Sequence, residues 1–498
     1  MVDGVSTSRV VSDVSERLKR LQGALDRERG DLELLNAHYE GTQPLAYMAP
    51  ELIAELSDRM KQVVVHWPEL VVESVEERLD VEGFRFGGEG EADEGLWELW
   101  QANGLDLLSH QAHVDALVMR RSYGIIGSRG EWDSDPSSGI SLDVPLITVE
   151  SPLEVYAVRD TRTRRVREAA KWRASDPFAD DRDRATFYTP DMTVWMKKVH
   201  KRAAGEPVWV LDEDDAPGID EHGKGVCPVV PLVNRPRTWR KRNVFGEGKS
   251  DLDSVIPLSD AACKIATDMM VGAEFHALPR RAVFGAASED FQDEEGRPVS
   301  ALSRIIGRVW AFENPDVKAM QFQESSLTNF HETMKLLGQL VASISGLPPH
   351  YLGTATDNPA SADAIRSSEA RLIKRAERKQ RAFGESWERM MRIAVLWRDG
   401  EVSPEASRME TIWRDPSTPT VAQKADAAVK LFSAGIIPKR QAWEDLGYTT
   451  TAMERMEDML EDEAERQAKA FGVSGDPRMP GEGEAPEGVP AEPAADED

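Results

Sequence analysis

The chain has 498 residues, with 61 basic and 88 acidic side chains, a formal net charge of −27 and 40% hydrophobic content. That apolar fraction sustains real cores, so global disorder is excluded, and the length suggests roughly three domains. The acidic balance excludes a protein that wraps DNA by neutralising phosphates, although not one that lets DNA pass without gripping it. Cys227 and Cys263 form neither a disulfide framework nor a zinc pattern and suit a reducing compartment. The N-terminal MVDGVSTSRVVSDVSERL lacks a signal-peptide layout, and no window holds 18 apolar residues. A soluble chain with no membrane segment, made in a cytoplasm, is expected.

In chain order, Val10, Val14, Leu18, Leu21, Leu25 and Leu32 predict a helix over 8–36, closed by His38-Tyr39-Glu40-Gly41. A second helix is expected from Pro50 to about Val64. Leu70–Phe86, rich in Val71, Val72, Val75 and Val81, reads as strands, and Leu96–Tyr123 as helix. From Gly124 to Pro236 the pattern is β: 125–132, 142–149, 154–160, 167–173, 186–199 and 208–211, with a turn at Asp212–Asp215. Val226–Asn234 carries Pro228 and Pro231 and suits a sheet edge. Ser250–Ala277 is helical in pattern, with Pro257 in its first turn or kinking it. Strands are expected near 282–285, 305–312 and 318–323, around an acidic loop with Glu289, Asp290, Asp293, Glu294 and Glu295. A helix capped by Ser325 or Ser326 ends at Gly346 before Pro348-Pro349.

A polar loop follows, and then one helix over 360–398, roughly 50–55 Å long. Ile365, Leu372, Ala376, Phe383, Trp387, Met390, Ala394 and Trp397 draw a single buried stripe on it. Its basic residues Arg371, Lys374, Arg375, Arg378, Lys379 and Arg381 read mainly as a solvated face, since Glu377–Arg381, Glu385–Arg389 and Glu388–Arg392 are i,i+4 pairs. A short strand at 409–414 precedes helices at 421–434, 439–446 and 450–471. The Gly-, Pro- and acid-rich 472–498 is expected to be disordered.

No catalytic constellation emerges. Gly246-Glu247-Gly248-Lys249-Ser250 evokes a phosphate-binding loop, but Asn243 stands where the first glycine is required, and Trp239-Arg240-Lys241-Arg242 is no hydrophobic strand. A loop with Ser250 as helix cap is the plainer reading. His110 and His113 lack the further ligands a metal needs, and Asp212–Asp215 lacks the spacing of a calcium loop. No catalytic, cofactor or metal site is expected.

Several short motifs in one order carry a resemblance. They are Tyr39-Glu40-Gly41, Val229–Pro236, Ser250–Leu258, Gly272–Ala277, Ser345–Gly353 and Ser361–Arg366. Together they resemble the portal proteins of tailed bacteriophages, in the siphophage branch of actinobacterial and other Gram-positive hosts, over roughly residues 30–465. The resemblance implies an α+β portal fold. Its parts are an N-terminal helical and β-rich wing (1–249), stem helices (250–277 and 325–346) and a small α/β clip (278–324). A tunnel loop (347–359), the long wing-spanning helix with the end of the wing (360–416), a helical crown (417–471) and the acidic tail (472–498) follow.

It also implies a non-enzymatic virion component. A homo-oligomeric ring, usually a dodecamer, would stand at one capsid vertex, where double-stranded DNA is packaged and ejected. The expected partners are the terminase large subunit, the major capsid and scaffold proteins, and the head–tail connector. Tyr351, Thr354, Thr356, Asp357 and Asn358 would touch DNA transiently in the tunnel loop, and the acidic loop 289–295 would belong to the clip. The alternatives are a nucleotide-dependent DNA-processing enzyme built on Lys249 and Ser250, and another head or adaptor structural protein.

Overall fold

Apolar residues four and three apart build the first helix, α1 (Gly4–Tyr39), which runs past both ends of its expected span. Val14, Leu18, Leu21 and Leu25 are buried against Trp172, Phe187 and Trp209, while Leu32 and Leu35 enter a second core with Val71, Trp100 and Trp387. One helix therefore joins two cores. The computed structural model describes residues 4–44, 63–87, 92–130, 137, 139–174, 183–200, 207–214, 217–237, 248–277, 281–284, 318–321, 328–353, 362–417, 421–448 and 450–470. Helices and sheets are interspersed as in an α+β chain, and the contacts divide it at residue 416.

Residues 70–76, expected as part of a strand region, belong to a helix, α2 (Trp67–Glu76), with Pro68 in its first turn. Val71, Val72 and Val75 share one buried face, and that burial outweighs the slight helix penalty of β-branched side chains. The strand signal is real only for β1 (Val81–Arg85), which pairs antiparallel with β13 (Glu410–Trp413). The single helix expected over 96–123 is three elements: α3 (Glu94–Ala102), α4 (Leu105–Met119) and the start of β2 (Arg121–Gly127). Gly104 at φ +61° breaks the first junction and Arg120 at φ 77° the second.

β2 is the middle of a three-stranded antiparallel sheet, between β3 (Leu146–Glu150) and β10 (Val229–Val233). β10 lies at the edge, as its prolines imply. A Cβ on Gly124 would lie 1.9 Å from the Met390 sulfur, so its glycine lets the long helix rest directly on β2. The other large sheet is a meander of β4 (Val155–Arg159), β5 (Val166–Arg173), β6 (Arg184–Tyr188), β7 (Thr193–His200) and β8 (Pro207–Leu211), with β9 (Ile219–Asp220) on β7. The stretch expected as one strand over 186–199 is split by a turn. There the Thr189 hydroxyl accepts from Met192 N at 3.0 Å and donates to Met192 O at 2.9 Å.

Beyond the sheets come α5 (Ile256–Ala277), the antiparallel pair β11 (Arg281–Phe284) and β12 (Lys318–Gln321), and α6 (Thr328–Ser345), which packs on α5. Gly346 at φ +77° stops α6, and a 3₁₀ turn occupies Pro349–Leu352. α7 (Ala362–Asp399) is the long helix, continuous through Gly384. In the second unit, α8 (Val421–Ser433), α9 (Lys439–Asp445) and α10 (Thr450–Ala470) follow the expected spans closely. Of the helix expected from Pro50 to about Val64, residues 63 and 64 are not helical and the rest lies outside the described residues, as do the strand over 305–312, the acidic loop 289–295 and the tail 472–498.

Candidate functional site

α7 organises the region around residues 343–353, and the basic residues along it are less solvated than their sequence suggests. Among the expected surface pairs, Glu388–Arg392 forms at 3.8 Å, but Glu377 takes Lys374 as its partner. Arg371, Arg375 and Lys379, one helical turn apart, instead clamp other parts of the chain. The Arg371 Nη1 donates to Ser343 O at 2.6 Å, at the end of α6, and its side chain lies against Gly346. Arg375 and Lys379 reach the segment that opens α5.

The counter-charge there is Asp251, buried completely at its side chain. Lys379 Nζ lies 2.8 Å from it, Arg375 Nη2 3.3 Å and Arg235 Nη1 3.6 Å. Burial alone would raise the Asp251 carboxyl, but Lys379 and Arg375 outweigh it and hold its pKa at about 2. Burial pulls the Lys379 ammonium below its usual range and Asp251 pulls it back. The charged pair is the neutral-pH state, because Lys379 has two acceptors close by, Asp251 and the Asn234 Oδ1 at 2.6 Å. Asn234 completes the knot by donating its Nδ2 to Lys249 O at 2.7 Å and to Asp251 Oδ1 at 3.2 Å. The end of β10, the approach to α5 and the middle of α7 thus meet at one charged point.

The same contacts decide the fate of the glycine-lysine-serine stretch. A Cβ on Gly248 would lie 2.3 Å from Arg120 O and 2.5 Å from Asn234 O, so this glycine packs against backbone. Ser250 is wholly buried; its hydroxyl accepts from Leu252 N at 3.0 Å and lies 3.4 Å from Leu117 O. Lys249 Nζ donates to Ser254 Oγ at 3.2 Å. Ser250 shapes a turn well before Ile256 and does not cap α5, which corrects that expectation. The polar residues of 248–255 are drawn into the buried knot, so the helix begins later than its apolar spacing predicts.

Of the expected tunnel-loop residues, Tyr351 is described; Thr354, Thr356, Asp357 and Asn358 lie outside the described residues. Tyr351 is half-buried. Its hydroxyl accepts from Arg78 Nη2 at 3.3 Å and donates to Glu369 Oε1 at 3.1 Å, so it ties this segment to the turn after α2 and to α7. The residues expected in the clip, Glu289, Asp290, Asp293, Glu294 and Glu295, are likewise outside the described residues.

His113 is a core residue: its ring stacks on Phe383 at 5.1 Å, and its Nε2 accepts from Trp387 Nε1 at 3.0 Å. Burial, aided by His110, lowers its pKa to about 3. His110 turns away to Glu76, its Nδ1 at 2.5 Å. Among the described residues no group of three or more His, Cys, Asp or Glu can hold a metal, and no helix is long and apolar enough to cross a membrane.

Residues 18–469 match the phage portal protein family of the SPP1 Gp6-like type. The chain belongs to this portal family. It is 38% identical over 483 residues to the portal protein of Mycobacterium phage D29, covering 95% of this chain and 94% of the relative. Identity to the portal protein of Mycobacterium phage L5 is also 38%, over 482 residues. The siphophage and actinobacterial resemblance read from short motifs therefore extends over nearly the whole portal chain. Sequence reasoning had Asn234 and Asp251 inside those motifs without seeing that they touch each other and α7. The available signal was a pair of polar residues flanking apolar stretches.

Proposed function

We propose that this chain is the repeating subunit of a portal ring, a dodecamer at one capsid vertex, through which double-stranded DNA is packaged and later ejected. The family match over 18–469 carries the reading. On it, 1–249 and 360–416 make the wing, α5 and α6 the stem, 278–324 the clip and 417–471 the crown. The ring meets terminase, capsid and scaffold proteins during assembly, and the head–tail connector afterwards. It holds no catalytic centre of its own. The buried, occupied Ser250 speaks against the nucleotide-dependent alternative.

Two observations support the assignment physically. A net charge of −27 suits a conduit that must not bind phosphates strongly, since deep electrostatic wells would stall sliding DNA. On α6, Leu336, Leu340 and Ile344 form one exposed row (55%, 42% and 45%), opposite the buried Val341, Ala342 and Ser345. In the ring this row packs on a neighbouring stem. Tyr351 anchors the tunnel loop, and 354–358 are the part that meets DNA.

Electron microscopy and mass photometry of the purified protein at assembly concentrations test this. Rings with a central hole are expected. Leu340→Glu should yield folded monomers with an unchanged circular dichroism spectrum. A wild-type protein that stays monomeric with scaffold protein present would defeat the reading. Deleting 354–358 should leave rings intact and lower DNA packaging or retention.

A further inference from the structure

The hairpin joining β4 to β5 is a basic patch in an acidic chain. Residues 159–168 hold five arginines (Arg159, Arg162, Arg164, Arg165 and Arg167) against Asp160 and Glu168. Glu168 is buried and engaged by Arg17, Arg20 and Arg167. Asp160 is spent on the turn: its Oδ1 accepts from Arg162 N at 3.0 Å, Thr163 N at 2.7 Å and Thr163 Oγ1 at 2.9 Å. The turn closes through Asp160 N to Arg165 O at 2.8 Å and Arg164 N to Asp160 O at 2.9 Å, and residues 161–165 are exposed. This is a rigid loop presenting Arg162, Arg164 and Arg165.

Two further observations set it apart from an ordinary solvated turn. Arg164 sits at φ 59°, in the left-handed region where glycine or asparagine fits without strain. A side chain kept there against backbone preference points to a use for that side chain. Behind the hairpin, Arg389 on α7 is held below the usual guanidinium range by burial and then by Arg165 and Arg159. The thiol opposing that effect, Cys227, is itself pushed up to about 12 by burial and is uncharged near neutrality. The hairpin and α7 therefore gather like charges in one place.

We propose that the β4–β5 hairpin, with Arg389 behind it, is a docking surface for an acidic peptide segment of a partner protein. Arginine forks bind carboxylates in pairs of parallel hydrogen bonds, and a short run of Asp or Glu matches a patch one turn wide. Duplex DNA fits less well, because its dense phosphates demand an extended basic face and this patch is one turn wide. The inference does not rest on ring formation, so a failed ring test leaves it standing.

The test uses the full-length chain and a fluorescent peptide of eight consecutive glutamates, with binding read by anisotropy at low and physiological salt. Binding that weakens at least tenfold in the triple variant Arg162→Gln, Arg164→Gln, Arg165→Gln is expected. Arg164→Gly is the control for folding. It should melt no lower than wild type, because glycine accepts the left-handed conformation, yet bind the peptide severalfold more weakly. The proposal is overturned if the wild type does not bind the peptide, or if the triple variant or Arg164→Gly binds it as tightly as the wild type. A 20-base-pair duplex that binds more tightly than the peptide, with the same loss in the triple variant, would overturn it in favour of nucleic acid.

Discussion

The two units of the chain hold their shape by different means. Up to residue 416, Trp100, Trp172, Trp387, Phe84, Phe187 and Phe383 are almost fully buried, and α1 and α7 each bind several elements together. In the second unit, the buried hydrophobic residues among those described are Ala428, Ala442 and Met453. Val429, Phe432, Ile436, Tyr448 and Met459 are between 47% and 69% exposed there. Helices as short as α8 and α9 are marginal in water without such burial. The difference teaches that the first unit carries its own core, whereas the described residues of the second leave much of their apolar surface uncovered.

The largest expected effect breaks the self-sufficient side of this contrast. Asp251→Ala strands Lys379 and Arg375 without their buried counter-charge, and should remove about 3–5 kcal/mol from the unfolding of the first unit. Urea denaturation followed by tryptophan fluorescence measures it; a loss under about 1 kcal/mol would show that the clamp is not what holds α7. Because the folded pKa of Asp251 is depressed to about 2, its contribution is fully present above the usual carboxylate range and disappears as pH falls through that value.

His113 sharpens the contrast at milder acidity. Its folded pKa of about 3 lies below the ordinary imidazole value of 6.5, so the unfolded chain binds the proton first, and stability falls as pH drops from 6.5 toward 3. His113→Gln keeps an acceptor for Trp387 but cannot titrate. The slope of stability against pH in that window should flatten by about 1.4 kcal/mol per pH unit. Chemical denaturation at several pH values reads this, and an unchanged slope would place the acid sensitivity elsewhere.

The smallest effect tests the second unit. Phe432→Ser and Ile436→Ser should change full-chain stability by no more than about 0.5 kcal/mol, because both side chains are already exposed. They should nonetheless lower the yield of rings in mass photometry. A large loss of monomer stability would reveal a core at these positions.

What the sequence discloses follows the range of the interactions involved. The spans of α7 and α8 and the edge placement of β10 rest on local periodicity or on proline chemistry, and they are legible. Val71, Val72 and Val75 mislead because local β preference yields to a buried helical face. Gly104 and Arg120 divide an apparently continuous helix through backbone angles that apolar spacing does not encode. Arg375 and Lys379 look like surface charge because their partner, Asp251, lies far away in the chain. Tyr351 looks like a free loop residue because its partners, Arg78 in the turn after α2 and Glu369 on α7, are not adjacent to it in the sequence.

The row of Arg371, Arg375 and Lys379 also has a consequence for how the chain tolerates changes in length. The excursion through α5, β11, β12 and α6 leaves the frame beside Asp251 and returns to it at Ser343 and Gly346, both ends riveted to the same side of α7. The clamp on α7 is thus a socket that holds both ends of the excursion, so a change in length between β11 and β12 should leave Asp251, Arg375 and Lys379 in place.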